Sequence, residues 1–342
     1  MLQVTNTTPF EAGIDLFPDA QGVDTLYVVL KATFEFGPPG QGLRVAEKQV
    51  PVLTADVHWG EPGASSLRYA GERHLCKSST DVLLIGQAHA PRGKPVTELN
   101  VQLSVAGLTK SIHVTGDRIW RSGLLSAGIS SPEPFLTMPL TYERAFGGMH
   151  VPERGEASFE PRNPVGRGFR GRRGAQELNG LPLPNLEDPR HPVARAGDRA
   201  VPACFGPIAP SWAPRKLHAG TYDSRWRQYR APFLPEDFDA RFFHVASADL
   251  IAPTHLKGGE PVRLVHLVPE GECRFPLPLC VPDIQAHIAG QVETPRPHLE
   301  TVLIEPEERR VCMLWRATAP CDKKVLQVRR VTVGLKSLQL KS

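Results

Sequence analysis

Proline and glycine interrupt this chain so often that long helices have almost nowhere to form. There are 34 prolines and 30 glycines among 342 residues, and these are the two residue types least compatible with a helix interior. Proline removes a backbone donor and clashes with the preceding turn, while glycine loses the most chain entropy on ordering. Hydrophobic residues at 41% still suffice for a packed core. The expected fold is mainly β: an antiparallel sandwich or barrel-like core, a long ordered central loop region rich in Pro, Gly, Arg and aromatics, and few short helices. The length suits one large domain over residues 1–342. It divides into an N-terminal β part (1–140), the loop region (141–235) and a C-terminal β part (236–335).

Strand signals fill both ends. Residues 25–36 (TLYVVLKATFEF) are dense in β-branched and aromatic side chains and stop at Gly37-Pro38-Pro39-Gly40. Residues 82–88, 99–105 and 111–114 are further short runs, and 100–105 alternates strictly, as a half-buried strand requires. After residue 260 the pattern returns at 262–268, 272–277, 284–292, 301–304, 311–317 and 325–333. Turns are expected at 305–308 and 319–322. Short helices are expected to start at caps such as Asp81 and Asp237.

The stretch 141–235 differs in kind. It carries 13 Pro and 11 Gly in 95 residues, which alone would suggest a disordered linker, yet it also holds 10 of the 24 aromatics. Disordered segments are poor in aromatics, because rings supply the burial that orders a chain. The stretch is therefore expected to be ordered and laid over the β core, and long ordered loops usually carry function. It holds 14 Arg and one Lys against 9 acids, a balance of +6 within a chain of net charge +4. Arg with Tyr and Trp is the make-up of interface hot spots.

Chemistry is sought and mostly not found. Gly166-Arg167-Gly168-Phe169-Arg170-Gly171 spells a dinucleotide fingerprint, but no strand precedes it and Arg172-Arg173-Gly174 follows instead of a helix. A backbone-approach role for these glycines is the better expectation. The six cysteines form no CxxC pair and read as buried free thiols, so no metal or cofactor is expected. His58, His74, His89 and His113 could converge with Asp56, and Glu236, Asp237 and Asp239 form an acidic group that suits a helix start. No catalytic constellation emerges. No apolar run is long enough to span a membrane and no secretory leader is visible, so a cytoplasmic protein binding neither membrane nor nucleic acid is expected.

Strings along the chain carry more. They are NTTPF at 6–10, ADVHWG at 55–60, LTYERAFGG at 140–148, NPVGRGF at 163–169, LPNLEDP at 183–189, FGPI at 205–208, AGTYD at 219–223, LPEDFD at 234–239 with RFF at 241–243, and EERR at 307–310 before Trp315-Arg316. In this order they resemble a bacterial family built on a domain of unknown function and encoded in type VI secretion loci. The resemblance implies a non-enzymatic cytoplasmic adaptor or chaperone. Its partners would be a PAAR-linked effector and the VgrG spike onto which that effector is loaded. The partner-binding candidates are Arg144, Phe146, Arg167, Phe169, Arg170, Trp212, Tyr222 and Trp226. The alternative is a β-sandwich that binds or hydrolyses carbohydrate through carboxylates such as Glu143, Asp237 and Asp239. Nucleic-acid binding through the basic loop is the weakest expectation, since lysines are scarce there.

Overall fold

The computed structural model describes residues 2–37, 42–121, 123 and 128–340. The fold is mainly β, as expected. Fifteen strands make the three large sheets. The first eight are β1 (Gln3–Asn6), β2 (Glu11–Pro18), β3 (Asp24–Phe36), β4 (Leu43–Val45), β5 (Asp81–Leu84), β6 (Glu98–Val105), β7 (Leu108–Thr115) and β8 (Leu186–Glu187). The rest are β9 (Pro261–Val265), β10 (Glu272–Pro276), β11 (Leu279–Ile288), β12 (Gln291–Glu293), β13 (His298–Glu305), β14 (Arg310–Pro320) and β15 (Val328–Gln339). One sheet runs β2-β3-β14-β13-β5 with β4 against β3, a second β8-β7-β6-β9-β10, and a third β1-β15-β11-β12. All three stay open among the described residues, so the architecture is not a closed barrel.

Each of these three sheets joins the two ends of the chain. β3 pairs with β14 along eleven residues, from Glu35 opposite Arg310 to Thr25 opposite Pro320. β6 pairs with β9, β5 with β13, and β1 with β15. The last two pairs are parallel, which departs from the antiparallel expectation. Parallel neighbours need long crossovers, and here more than half the chain lies between the two members of each pair.

β3 is buried over residues 25–34 without interruption, so both its faces are covered and its sequence shows no alternation. Lys31 sits in this run, and its ammonium meets the Glu72 carboxylate at 2.7 Å and donates to the Pro51 carbonyl at 3.1 Å. One continuous hydrophobic core links the three sheets, with Leu30 and Phe34 from the first, Leu103 from the second and Ile284 and Val331 from the third. A smaller cluster of Phe146, Leu178, Leu183, Val193 and Ala200, joined by Trp120, lies within the middle segment.

Several local expectations need correction. The run 82–88 is two strands, because Gly86 passes tightly by Pro306 and the chain turns there to pair Gln87–His89 with Thr137–Pro139. The run 284–292 is a hairpin turning at Ala289 (φ 51°) and Gly290 (φ 81°). Residues 322–327 form a 3₁₀ turn before β15. Ala319 and Pro320, read as turn, are the last pairs of β14. Asp81 lies in a strand and caps nothing, whereas Asp239 caps the 3₁₀ turn at Ala240–Phe243. β3 stops at Phe36 as expected, but Pro38, Pro39 and Gly40 lie outside the described residues. Among the described residues the one α-helix is α1 (Ser224–Tyr229), and no helix is long and apolar enough to cross a membrane.

Candidate functional site

The middle segment is ordered by two buried asparagines. The Asn163 side-chain amide donates to the carbonyls of Tyr142 (2.7 Å) and Phe146 (3.0 Å), and the Asn163 backbone carbonyl accepts from Gly148 N at 2.8 Å. Asn185 donates to the Thr115 carbonyl at 3.0 Å and to the Asp117 carboxylate at 2.9 Å, and its side-chain oxygen accepts from Arg144 and Arg167, each at 3.1 Å. Buried amides that satisfy carbonyls on several loops fix those loops relative to one another.

Glycines make this proximity possible. A Cβ on Gly166 would sit 2.4 Å from the Asn163 amide and 2.5 Å from the Ala145 carbonyl, and one on Gly171 (φ +60°) would sit 2.6 Å from the His150 Cβ. Residues Phe146–Gly147 and Arg167–Gly168 can then pair in parallel, and Met149–His150 folds back on Ser158–Phe159. The literal dinucleotide fingerprint is thus a set of close backbone contacts.

Two cavities open beside these ladders. One, of about 140 Å³, is lined by Gly147, Gly148, Gly166, Gly168, Trp120 and Leu178 among others. The next, of about 420 Å³, is lined by Arg170, Arg172, Arg173 and Arg199 with Asp198. The two share Phe169 and Arg173.

A third feature lies further along. Asp223 caps α1, accepting from Trp226 N at 2.8 Å, and the Trp226 indole donates to the Phe233 carbonyl at 2.8 Å. Tyr222 meets Trp226 edge-on, with centroids 4.7 Å apart. Arg230 ties the module to the β2–β3 turn by donating to the Ala20 carbonyl at 2.9 Å. Three large side chains are exposed here, Tyr229 by 74%, Tyr222 by 52% and, from the preceding 3₁₀ turn at Arg215–His218, Leu217 by 78%, beside exposed Arg225, Arg227 and Gln228.

A family profile described as "Uncharacterized protein conserved in bacteria (DUF2169)" matches residues 21–316. The chain belongs to this family. The matched DUF2169 region holds the whole middle segment and β3 through most of β14, and leaves out β1, β2 and β15. No curated protein matches the chain, and no solved structure does.

Within this DUF2169 fold the eight candidate residues fall in separate places. Phe146 and Trp212 are core residues, Phe146 in the smaller cluster and Trp212 edge-on to Tyr142 in the main one. Arg144 and Arg167 turn inward to Asn185, and Arg167 also donates to the Glu143 carbonyl at 3.1 Å. Burial, and then the neighbouring Arg144, lower the Arg167 pKa. Phe169 and Arg170 line the arginine pocket. Tyr222 and Trp226 belong to the α1 module.

The carboxylates weighed for hydrolysis have separate local partners. Glu143 accepts from the backbone and hydroxyl of Ser66, and Asp237 accepts from the backbone and hydroxyl of Thr221. Asp239 is held down to about 2 by Arg241. His89 meets Glu307 and His113 meets Asn100, so these histidines have different partners as well. Among the described residues no group of three or more His, Cys, Asp or Glu is placed to hold a metal ion, and all six cysteines are free thiols.

One arrangement escaped the sequence. Exposed Ser78 Oγ lies 2.9 Å from His244 Nε2, and His244 Nδ1 lies 2.6 Å from Asp81 Oδ1. The other Asp81 oxygen accepts from the Lys77 ammonium at 2.7 Å and from Val245 N at 2.8 Å. Burial alone would raise the Asp81 pKa, but Lys77 and then His244 outweigh it and hold the group at about 2. Nearby, the Lys77 backbone N–H donates to Glu300, whose other oxygen accepts from buried Arg316 at 2.8 Å. Ser78 and Asp81 are close in sequence, but His244 is distant and no local motif links it to them. The arginine pocket was half legible, since Arg170, Arg172 and Arg173 are consecutive or nearly so while Arg199 arrives from a separate turn.

Proposed function

We propose that this chain is a cytoplasmic, non-enzymatic adaptor that holds a type VI secretion effector carrying a PAAR-type tip and assists its loading onto the VgrG spike. The observation that carries the protein-binding part is the α1 module. Its backbone is fixed by Asp223, Asp237 and Arg230, while Leu217, Tyr222 and Tyr229 face outward. Aromatic surface held rigid before binding loses little entropy on association, and exposed apolar patches of this kind mark interaction sites. The secretion context rests on the family strings at 140–148, 163–169 and 219–223.

The test is co-expression with a PAAR-type effector, followed by affinity capture. Leu217→Asp with Tyr229→Asp should abolish capture and leave the melting temperature unchanged, because both side chains stand in solvent. Capture that persists in this variant, or no capture by the native chain, refutes the reading.

A second reading, hydrolysis, is favoured by the Ser78–His244–Asp81 chain of hydrogen bonds, which follows the order of a nucleophile, base and orienting acid. Ser78 Oγ would attack an acyl carbon while His244 takes its proton and returns it to the leaving group, and water would then release the acyl chain. A fluorophosphonate probe should label the native chain and not Ser78→Ala. No labelling removes this reading.

A further inference from the structure

We propose that the arginine-walled pocket of the middle segment takes an acidic stretch of a partner polypeptide, with an apolar side chain of that stretch seated in the adjoining glycine-floored cavity. This rests on the adaptor reading and supplies the chemistry of one contact. Among the described residues, four of this segment's fourteen arginines are paired with carboxylates, and four of the ten that are not gather at one cavity. Arg144, Arg162, Arg167 and Arg190 each meet a carboxylate within 4 Å. Arg170, Arg172, Arg173 and Arg199 have no carboxylate partner among the described residues, and all four line one cavity of about 420 Å³.

The acid in the wall does not neutralise them. Asp198 accepts from the backbone N–H groups of Ala194 and Arg195 at 2.9 and 2.8 Å. Two of the guanidiniums are positioned in advance: Arg170 donates to the Arg173 carbonyl at 2.8 Å, and Arg173 to the Phe169 carbonyl at 3.1 Å. Carbonyls orient these heads without cancelling their charge. Four cations at one mouth repel one another, and a carboxylate relieves that repulsion while matching the guanidinium fork in two-pronged geometry. The neighbouring cavity, about 140 Å³, mixes Arg167 and Arg173 with an apolar side formed by Trp120, Leu178 and Leu181, and an aliphatic side chain fits against that side. A peptide with acids flanking an apolar residue supplies both groups. A nucleic-acid strand supplies the anion but no aliphatic group.

The probe is a fluorescein-labelled peptide of alternating Glu and Leu, titrated with the full chain by fluorescence anisotropy. A Lys–Leu peptide and a short labelled oligothymidylate serve as comparators. Arg172→Ala with Arg199→Ala removes two guanidiniums that hold no structural bond, so folding is retained. The Glu–Leu peptide should bind, the double variant should weaken it by at least about tenfold, and the Lys–Leu peptide should not bind. No binding, binding unchanged in the double variant, or tighter binding of the oligothymidylate each overturns the proposal. Effector capture separates the two readings. A double variant that captures effector as well as the native chain sinks the pocket alone. Arginine-dependent peptide binding without effector capture sinks the adaptor alone.

Discussion

Asn185 is the side chain whose removal should most cleanly release the middle segment. Asn185→Ala leaves the Thr115 carbonyl, at a buried residue, without its side-chain donor, and an unsatisfied buried acceptor costs about 1–3 kcal/mol. Arg144 and Arg167 each lose an acceptor at 3.1 Å. Both guanidinium side chains are about a quarter exposed, so water replaces part of each bond and about 0.5–1 kcal/mol is lost per arginine. Asp117 is more than half exposed and rehydrates at little cost. The sum is about 2–5 kcal/mol, concentrated where residues 115–117, 144, 167 and 185 meet. Because opening here is local, trypsin cutting after the segment's arginines should accelerate by about thirtyfold or more. The cleavage sites, read by mass spectrometry, should fall between residues 144 and 199. Acceleration below about threefold, or cleavage first at another part of the chain, would show that Asn185 does not hold the loops together.

Gly166→Ala should be harsher than an ordinary loop change, since its Cβ would press on the Ala145 carbonyl at 2.5 Å; a drop of about 2 kcal/mol or more in denaturant stability is expected. Arg167→Glu should destabilise the chain, because it sets a carboxylate against the Glu143 carbonyl and the Asn185 oxygen, whereas Arg172→Glu should leave the urea midpoint unchanged. Glu300→Ala strands Arg316 in the core and removes the acceptor of Lys77 N, so a loss of about 3–5 kcal/mol in urea denaturation is expected. Burial, then Arg316 and Lys77, push the His74 pKa well below 6.5, and burial with His255 lowers that of His298. The unfolded chain therefore binds protons more readily at these sites, and stability should fall as pH drops through 6.5 while staying flat above it. A denaturation midpoint that rises between about pH 7.5 and about pH 5.5 would contradict this.

The sequence made the middle of β3 plain, because a run buried on both faces is mostly apolar, Lys31 being its one charge. It left its neighbours hidden, since nothing in residues 25–36 specifies pairing with 310–320. The hairpin turn at Ala289-Gly290 was invisible because alanine rarely adopts positive φ. Composition located an ordered, arginine-rich middle segment but could not tell inward from outward side chains. Phe146 and Tyr222 look alike in sequence, yet one fills the smaller cluster and the other stands in solvent. Arg167 and Arg172 differ as sharply, because Asn185, eighteen residues beyond Arg167, and the Glu143 carbonyl draw Arg167 inward. The Ser78–His244–Asp81 arrangement draws on parts of the chain that meet only after folding.

The pairing of β3 with β14 has a consequence for synthesis. The ribosome makes β3 early, and its partner at Arg310–Pro320 follows after nearly the entire chain. At about 5–20 residues per second, the nascent strand waits roughly 15–60 seconds for that partner. Throughout that interval β2 can pair with one edge of β3, while the other edge, which later meets β14, is open to other chains. Production of this protein should accordingly depend on general holdases such as trigger factor or DnaK, and its yield should collapse when translation outruns them.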